Sequence, residues 1–498
     1  MQTVEIAIVG AGPAGVSAAV AAAHAGAKVA LVDEGARTGG QFFRQPINST
    51  NGATPELLRH HFQRGRKLLD QLSHPNIQLY PETVVWNITA KRQLNLYHAN
   101  RPLTLQAQRV ILATGATERV AAFPGWTLPG VMTVGAAQSL LKSQGLIPGG
   151  RVVLAGSGPL LLAVARQLVD AGAQVVGVYE ATHWWRWLRH AIHFQDHRDR
   201  LREGLGHWWR LRTAGVPFEF CSAVTGADPQ SPAAPGAGGE GCVSRVEVSC
   251  VDHAWRPRPG MRKTVAADAV CVSFGFIPAT ELARLAGCAH RFDPAMSAFA
   301  IVTNEELETS VSGIYAAGEV RGIGGAEAAL AEGRLAGLAA ARSLGWEVKD
   351  SELAEARAEQ TKHRAFAAVL AELFAVKPGL AQFAADDTIV CRCENVTAGE
   401  LREAGRGGAL ALNALKAWNR CGMGLCQGRT CAPIAAQILA AEIGRGDPGG
   451  RPLESVGVFT ARPPVKPVPL GVVGVVEGPR PTGPAMEDHV GYGRAIVR

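Results

Sequence analysis

A strand–glycine loop–helix–strand unit that occurs twice most constrains what this chain can fold into. Residues 4–10 (VEIAIVG) are a short apolar run rich in β-branched residues, GPAGVSAAVAAAHAG continues as an alanine-rich helical segment ending at Gly26, and KVALVDE reads as a second strand. Gly10-Ala11-Gly12-Pro13-Ala14-Gly15 satisfies G-x-G-x-x-G between strand and helix, the one context in which that motif carries meaning. There the first glycine makes the tight turn, the second lets the backbone approach a pyrophosphate, and the third lets helix and strand pack closely. The free N–H groups of the helix N-terminus then face an anion. An acid at the end of the second strand would hold the ribose; Asp33 has that spacing, with Glu34 beside it. The pattern returns at 150–180 (GRVVLAGSGPLLLAVARQLVDAGAQVVGVYE), so two dinucleotide-type domains are expected, the second inserted into the first.

The second unit departs from the motif. Leu161 stands where the third glycine would be, and Glu180, which could hold a ribose, is followed at once by a bulky basic stretch. A retained scaffold is therefore favoured over a working NAD(P) site. The stretch 183–212 holds Trp184, Trp185, Trp187, Trp208 and Trp209 among many arginines and histidines. It fits partner docking first, core packing second and peripheral membrane contact third.

Three further segments favour FAD at the first site: Gly39-Gly40-Gln41, Ala113-Thr114-Gly115 and Gly318-Glu319, the last two ending strands. Together they resemble the two-dinucleotide-binding flavoproteins, the family of glutathione and thioredoxin reductases. In that family the last motif usually carries Asp, whose carboxylate holds the ribityl chain; Glu319 is one methylene longer. No C-x-x-C or C-x4-C precedes residue 391, so the disulfide relay of those reductases is excluded.

Instead, half of the ten cysteines crowd between 391 and 431. Cys391 and Cys393 form a C-x-C pair, and Cys421, Cys426 and Cys431 follow at even spacing. Two close pairs are what a [2Fe-2S] cluster needs, two sulfurs per iron, whereas C-x-C is poor spacing for structural zinc. Spacing alone leaves open which two of the last three are ligands. Thr397 and Glu400 stand at capping-box spacing, which predicts a helix just after the first pair. Cysteines 221, 242, 250, 271 and 288 are scattered and read as ordinary thiols in a reducing compartment.

The form G-M-G-x-C-Q-G-x-x-C resembles the bacterioferritin-associated-ferredoxin-like (BFD-like) [2Fe-2S] domain appended to flavoprotein subunits. That resemblance implies Cys391, Cys393, Cys426 and Cys431 as metal ligands. The likeness runs over nearly the whole chain: GAGPAG, DEGARTGGQ, ATGATER, FPGWTLPGVMTVGAAQ at 123–138, the cysteine domain and RPPVKPVPLG. It resembles the FAD-containing α subunit of heteromeric dehydrogenases that oxidise amino acids or opines, such as hydrogen cyanide synthase, octopine and nopaline oxidases, and proline and D-hydroxyproline dehydrogenases. The resemblance implies an α/β fold with a Rossmann-like FAD domain, an inserted nucleotide-type domain and a small helical [2Fe-2S] domain. It implies FAD contacts from Gly10, Gly12, Pro13, Ala14, Gly15, Asp33, Glu34, Gly40, Gln41, Ala113, Thr114, Gly115, Gly318 and Glu319. It also implies a partner: a catalytic β-type flavoprotein that takes hydride from the substrate's C–N bond, with a small ferredoxin-like chain as a further member. Electrons would leave through flavin and cluster to a respiratory or other acceptor. The alternatives are a self-sufficient NAD(P)H-dependent flavin oxidoreductase using the 156–180 site, and an iron- or redox-sensing regulator.

The expected organisation is an FAD domain from 1–117 and 290–346, an insert at 118–289, a helical connector at 347–388, the cluster domain at 389–446 and a Pro/Gly-rich extended tail at 447–498. Residues 225–242 read as a surface loop. A net charge of +7 over 498 residues is too mild for a nucleic-acid footprint. No run of ~20 apolar residues would span a bilayer, and the N-terminus runs straight into a strand without room for a signal peptide. The expected location is the cytoplasm, with peripheral membrane contact or membrane association through the complex as the further reading.

Overall fold

The repeated unit builds two parallel sheets. The computed structural model describes residues 1–46, 56–190, 198–229, 241–445 and 453–474. In the first sheet β3 (Ile77–Tyr80), β2 (Val29–Val32), β1 (Gln2–Val9) and β6 (Arg101–Leu112) run parallel, and β19 (Ile314–Ala316) adds to the end of β6. The start of β6 instead joins an antiparallel meander with β5 (Gln93–His98) and β4 (Thr83–Ile88). Ile6–Val9, Val29–Val32 and Val110–Leu112 are buried without alternation, as strands covered on both faces must be.

Helix α1 (Pro13–His24) crosses α8 (Gly325–Arg342) over this sheet, while α2 (Glu56–Leu69) precedes β3 in the chain. A Cβ on Gly333 would lie 2.0 Å from the carbonyl oxygen of Ala14, so the two helices meet backbone to backbone. The alanine-rich sequence is what permits that approach.

The second sheet has the order β11 (Phe218–Phe220), β10 (Gln174–Glu180), β9 (Arg151–Gly156), β15 (Ala269–Ser273) and β8 (Val131–Thr133), all parallel. Helices α3 (Val134–Gln144) and α4 (Pro159–Asp170) pack on it, and α5 (Trp184–His190) and α6 (Arg198–Thr213) follow β10. A separate antiparallel meander of β12 (Ser222–Pro229), β13 (Val243–Val251) and β14 (Pro257–Ala266) packs beside it. Residues 225–229, read as loop from composition, are strand, because β12 pairs with β13 along its length. Residues 230–240 of that loop lie outside the described residues.

The chain leaves the first sheet at β7 (Ala116–Glu118) and returns at β16 (Phe276–Pro278), which pair antiparallel. After the return, α7 (Glu281–Leu285) buries Leu282 and Ala283 in the core of the first sheet with Val9 and Val85. The changeover thus falls at this crossover, ahead of 289/290. The hairpin of β17 (His290–Asp293) and β18 (Ala298–Ile301) leads on to β19.

Helix α9 (Asp350–Leu373) lies along α8 and does more than connect. The cysteine domain follows: β20 (Ile389–Cys391) pairs with β21 (Val396–Thr397), then come α10 (Ala398–Arg406), α11 (Leu412–Asn419) and α12 (Cys431–Ile443). Its core is continuous with that of the second sheet's meander. Trp126 Nε1 donates to the carbonyl of Ile389 at 2.6 Å, and the Phe383 and Phe274 rings stand 6.0 Å apart. Of the expected tail, 453–474 wraps onto the protein with Phe459 and Val465 buried. Residues 446–452 and 475–498 lie outside the described residues.

Candidate functional site

A cavity of about 1740 Å³ opens where the two glycine loops face each other. Gly10, Gly12, Pro13, Asp33 and Glu34 form one part of its wall, Gly40 and Gln41 another, and Ala113, Thr114, Gly115 and Glu319 a third. Ala14, Gly15 and Gly318 stand behind the wall. A Cβ on Gly15 would lie 1.7 Å from the carbonyl oxygen of Gly10, so Gly15 serves the close contact of helix and strand. Gly12 caps α1 without any side-chain hydrogen bond, and the first turn carries no acid. A Cβ on Gly12 would meet open space. Unsatisfied amides at a helix start, opening on a cavity with no side chain in the way, fit a pyrophosphate.

The acids are less free than their spacing implied. Asp33 accepts from Ala11 N at 2.5 Å and from Gly35 N at 2.7 Å, so its carboxylate pins the glycine turn. Burial pushes it up, against the pull of those two N–H bonds. Glu34 accepts from Lys466 Nζ at 2.8 Å. Glu319 folds its extra methylene back and accepts from Gly325 N at 2.8 Å, at the start of α8; burial holds its carboxyl above the usual range.

Behind Glu319 lies a network that sequence reasoning missed. Glu332, fully buried on α8, accepts from Gly318 N at 2.8 Å, from Arg364 Nε at 2.5 Å and from Arg321. Arg364, on α9, also donates to the carbonyls of Gly322 and Gly318 at 2.7 and 3.2 Å. The available signal was a glutamate at the middle of an alanine-rich helical run, where Glu332 follows Glu327 by five residues. Lys142 was missed as well. It reaches from α3 to the carbonyls of Phe42 and Gln41 at 3.2 and 3.4 Å, and burial pushes its ammonium down to about 8.

The second glycine loop presents Leu160 and Leu162 to the cavity, while Leu161 is buried in the second core. Its acid turns inward. Glu180 accepts from Gly158 N at 3.1 Å and Thr182 N at 2.9 Å, and burial pushes its carboxyl up to about 7. The tryptophans of the following stretch divide. Trp187 packs edge-on to Phe374 at 5.3 Å, whereas Trp184 and Trp209 are 56% and 65% exposed. Residues 191–197 of that stretch lie outside the described residues.

The cysteine domain gathers all five of its thiols. Cys391, Cys421 and Cys431 are buried with sulfurs within 4.8 Å of one another. The thiol of Cys426 is hydrogen-bonded with those of Cys431 and Cys393, and Cys393 is exposed at the rim. The hydrogen bond with Cys431 and the N–H groups of Thr430 and Gly428 pull the Cys426 thiol down towards thiolate, and contact with Cys421 and Cys426 pushes Cys431 up. Sulfurs held by backbone amides, beside the uncapped start of α12, form a donor set suited to an iron–sulfur cluster. The expected capping box is present, with Thr397 Oγ1 accepting from Glu400 N at 3.3 Å and Glu400 accepting from Thr397 N at 2.7 Å. Cys421, which spacing left unassigned, lies as deep as Cys391 and Cys431.

Comparison with known proteins agrees with this arrangement. Residues 4–333 match the family model for pyridine nucleotide-disulphide oxidoreductases, and residues 389–441 match the BFD-like [2Fe-2S] binding domain. The chain is 35% identical over 483 residues to the opine oxidase A subunit of Agrobacterium tumefaciens (strain Ach5), covering 94% of this chain and 90% of that one. It is 34% identical over 478 residues to hydrogen cyanide synthase subunit HcnB of Pseudomonas aeruginosa, covering 93% and 97%. The crystal structure of L-proline dehydrogenase from P. horikoshii superposes on 95% of this chain and 79% of that chain, with a TM-score of 0.67 at 20% identity, and so shares the fold. The protein is an oxidoreductase whose cofactors are FAD and a [2Fe-2S] cluster, and its relatives' names mark them as subunits of heteromeric complexes. Among the described residues no helix is long and apolar enough to cross a membrane.

Proposed function

The chain belongs to the pyridine nucleotide-disulphide oxidoreductase family, and we propose that it is the electron-transferring subunit of a heteromeric dehydrogenase acting on the C–N bond of an amino acid or opine. The substrate class spans opines, proline, hydroxyproline and glycine. A second flavoprotein chain of the β type would take the hydride from substrate, with a small ferredoxin-like chain as a further member of a cytoplasmic complex. When bound, FAD accepts electrons in pairs and the cluster releases them singly to a respiratory or other acceptor.

The residues have separable tasks in this reading. The amides of α1 and Gly12 hold the pyrophosphate, Asp33 fixes the turn that presents them, and Glu34 stands near the ribose. Gln41, Gly115 and Glu319 bound the flavin half, with Gly318 held from behind by Glu332. Cys391, Cys393, Cys426 and Cys431 would hold the cluster, and Cys421 lies with Cys391 and Cys431 among the buried thiols. The observation that carries the reading is the adjacency of the two sites: Arg429, within the cysteine loop, lines the dinucleotide cavity.

The test is the visible spectrum and iron content of the anaerobically purified chain, followed by turnover with and without a co-expressed β-type partner. Flavin bands over a broader iron–sulfur background, bleached by dithionite, together with turnover only when the partner is present, support the proposal. Complete turnover of an amine substrate by the isolated chain would remove the subunit reading. Saturable flavin bleaching by NADH or NADPH would move the assignment to a self-sufficient oxidoreductase.

A further inference from the structure

The cysteine loop and the dinucleotide cavity share one side chain. Arg429 lies in sequence between Cys426 and Cys431, yet it forms part of the cavity wall together with Glu281 and Val465. It is fixed on three sides. One terminal nitrogen donates to the carbonyl of Cys426 at 3.3 Å, the other donates to the carbonyl of Val465, and Nε stands 3.6 Å from the carboxylate of Glu281. Its side chain is only 18% exposed. The other arginines of the cysteine pairs are placed differently. Arg420 is 65% exposed and paired with Glu394 at 2.8 Å, and Arg392 stacks 5.6 Å over Trp126. Neither lines the cavity.

We propose that Arg429 is a positioning residue common to both redox centres: one guanidinium orders the cluster loop and presents its charge to the flavin cavity. This rests on the reading that FAD and the cluster occupy the two sites described. Reduction adds negative charge at either centre, and a fixed cation in a partly desolvated setting stabilises that charge. Glu281, beside it, opposes the effect. The two potentials therefore rise and fall together when this pair is altered.

Spectroelectrochemical titration of the full chain tests this, reading flavin by its visible bands and cluster by electron paramagnetic resonance. Arg429→Gln is expected to lower both midpoint potentials, by about 59 mV for a one-electron couple and about 30 mV for a two-electron one if the reduced-to-oxidised ratio falls tenfold. Arg429→Lys restores most of both. Glu281→Gln shifts both upwards, and Arg420→Gln moves the cluster alone. A flavin potential unmoved in both Arg429→Gln and Glu281→Gln, with the cluster shifted, overturns the proposal. Should Arg429→Gln lose a cofactor, the sign of the Glu281→Gln shifts decides. A wild-type chain lacking flavin or iron would fail the function reading instead, a result distinct from any of these.

Discussion

A Cβ at Gly424 would lie 2.1 Å from the Cβ of Cys393 and 2.9 Å from its sulfur. Nothing at that point can give way without moving the cysteine. Gly424→Ala is therefore expected to empty the cluster site while leaving flavin bound, read as iron per chain against flavin per chain. Glu180 makes a prediction about pH. Its carboxyl, ordinarily near 4.5, is raised to about 7 by burial, so the folded state favours the protonated form. Stability from this residue is full below about pH 4.5 and is lost as pH rises towards 7, amounting to about 3 kcal/mol. Denaturant midpoints measured across that window should show the decline in wild type and a flatter profile in Glu180→Gln. An unchanged profile would mean that another group carries the dependence. The spacing of Asp33 and Glu180 after their glycine loops was legible in the sequence. Their engagement with backbone amides was not, because it depends on how each loop closes over its strand end.

Between elements, the decisive contact is that of α8 and α9 around Glu332. Helix α9 falls in the stretch read as a helical connector; in the fold it delivers Arg364 to a carboxylate with no exposed surface. Removing one member of a buried ion pair typically costs ~3–5 kcal/mol, since the remaining charge is left without compensation. Glu332→Ala should approach that loss in chemical denaturation and speed FAD release, because Gly318 loses the acceptor of its N–H. Arg364→Ala should cost less, since Arg321 still faces the carboxylate. The approach of α1 and α8 offers a separate check. Gly333→Ala inserts a methyl 2.0 Å from a carbonyl oxygen and is expected to lower stability by ~1–3 kcal/mol, measurable as a lower melting temperature.

Across the whole molecule, one segment ties the two sites together. Phe459 packs against Gly422 and Gly428 of the cysteine loop, and Arg284, next to the first sheet, donates to its carbonyl at 2.7 Å. A few residues on, Val465 N donates to the carbonyl of Trp86 at 2.9 Å and Lys466 reaches Glu34. A Pro/Gly-rich run that composition marked as extended and wrapped on the surface or on a partner thus crosses from cluster loop to dinucleotide cavity. Deleting a buried aromatic ring typically costs ~3–5 kcal/mol. Phe459→Ala is expected to weaken iron retention and FAD retention together, followed by iron release to a chelator and by the return of flavin fluorescence. Loss of iron with flavin retention untouched would show that the segment serves the cluster alone.

The sequence by itself determined the repeated strand–loop–helix units, the glycine loop at the start of α1 and the crowding of thiols, because each depends on residues near one another in the chain. Periodicity and turn chemistry are local, and they survive without knowledge of the fold. It also shows that no C-x-x-C or C-x4-C pair precedes residue 391. Only the tertiary structure decided which acids stay available, that α9 buttresses the Gly318 turn, and that Cys421 joins the buried thiols. Only it brought Arg429 to the cavity wall, through the shared core that seats the cysteine domain against the second sheet. Those outcomes depend on which distant surfaces exclude water together, and burial of that kind has no period along the chain.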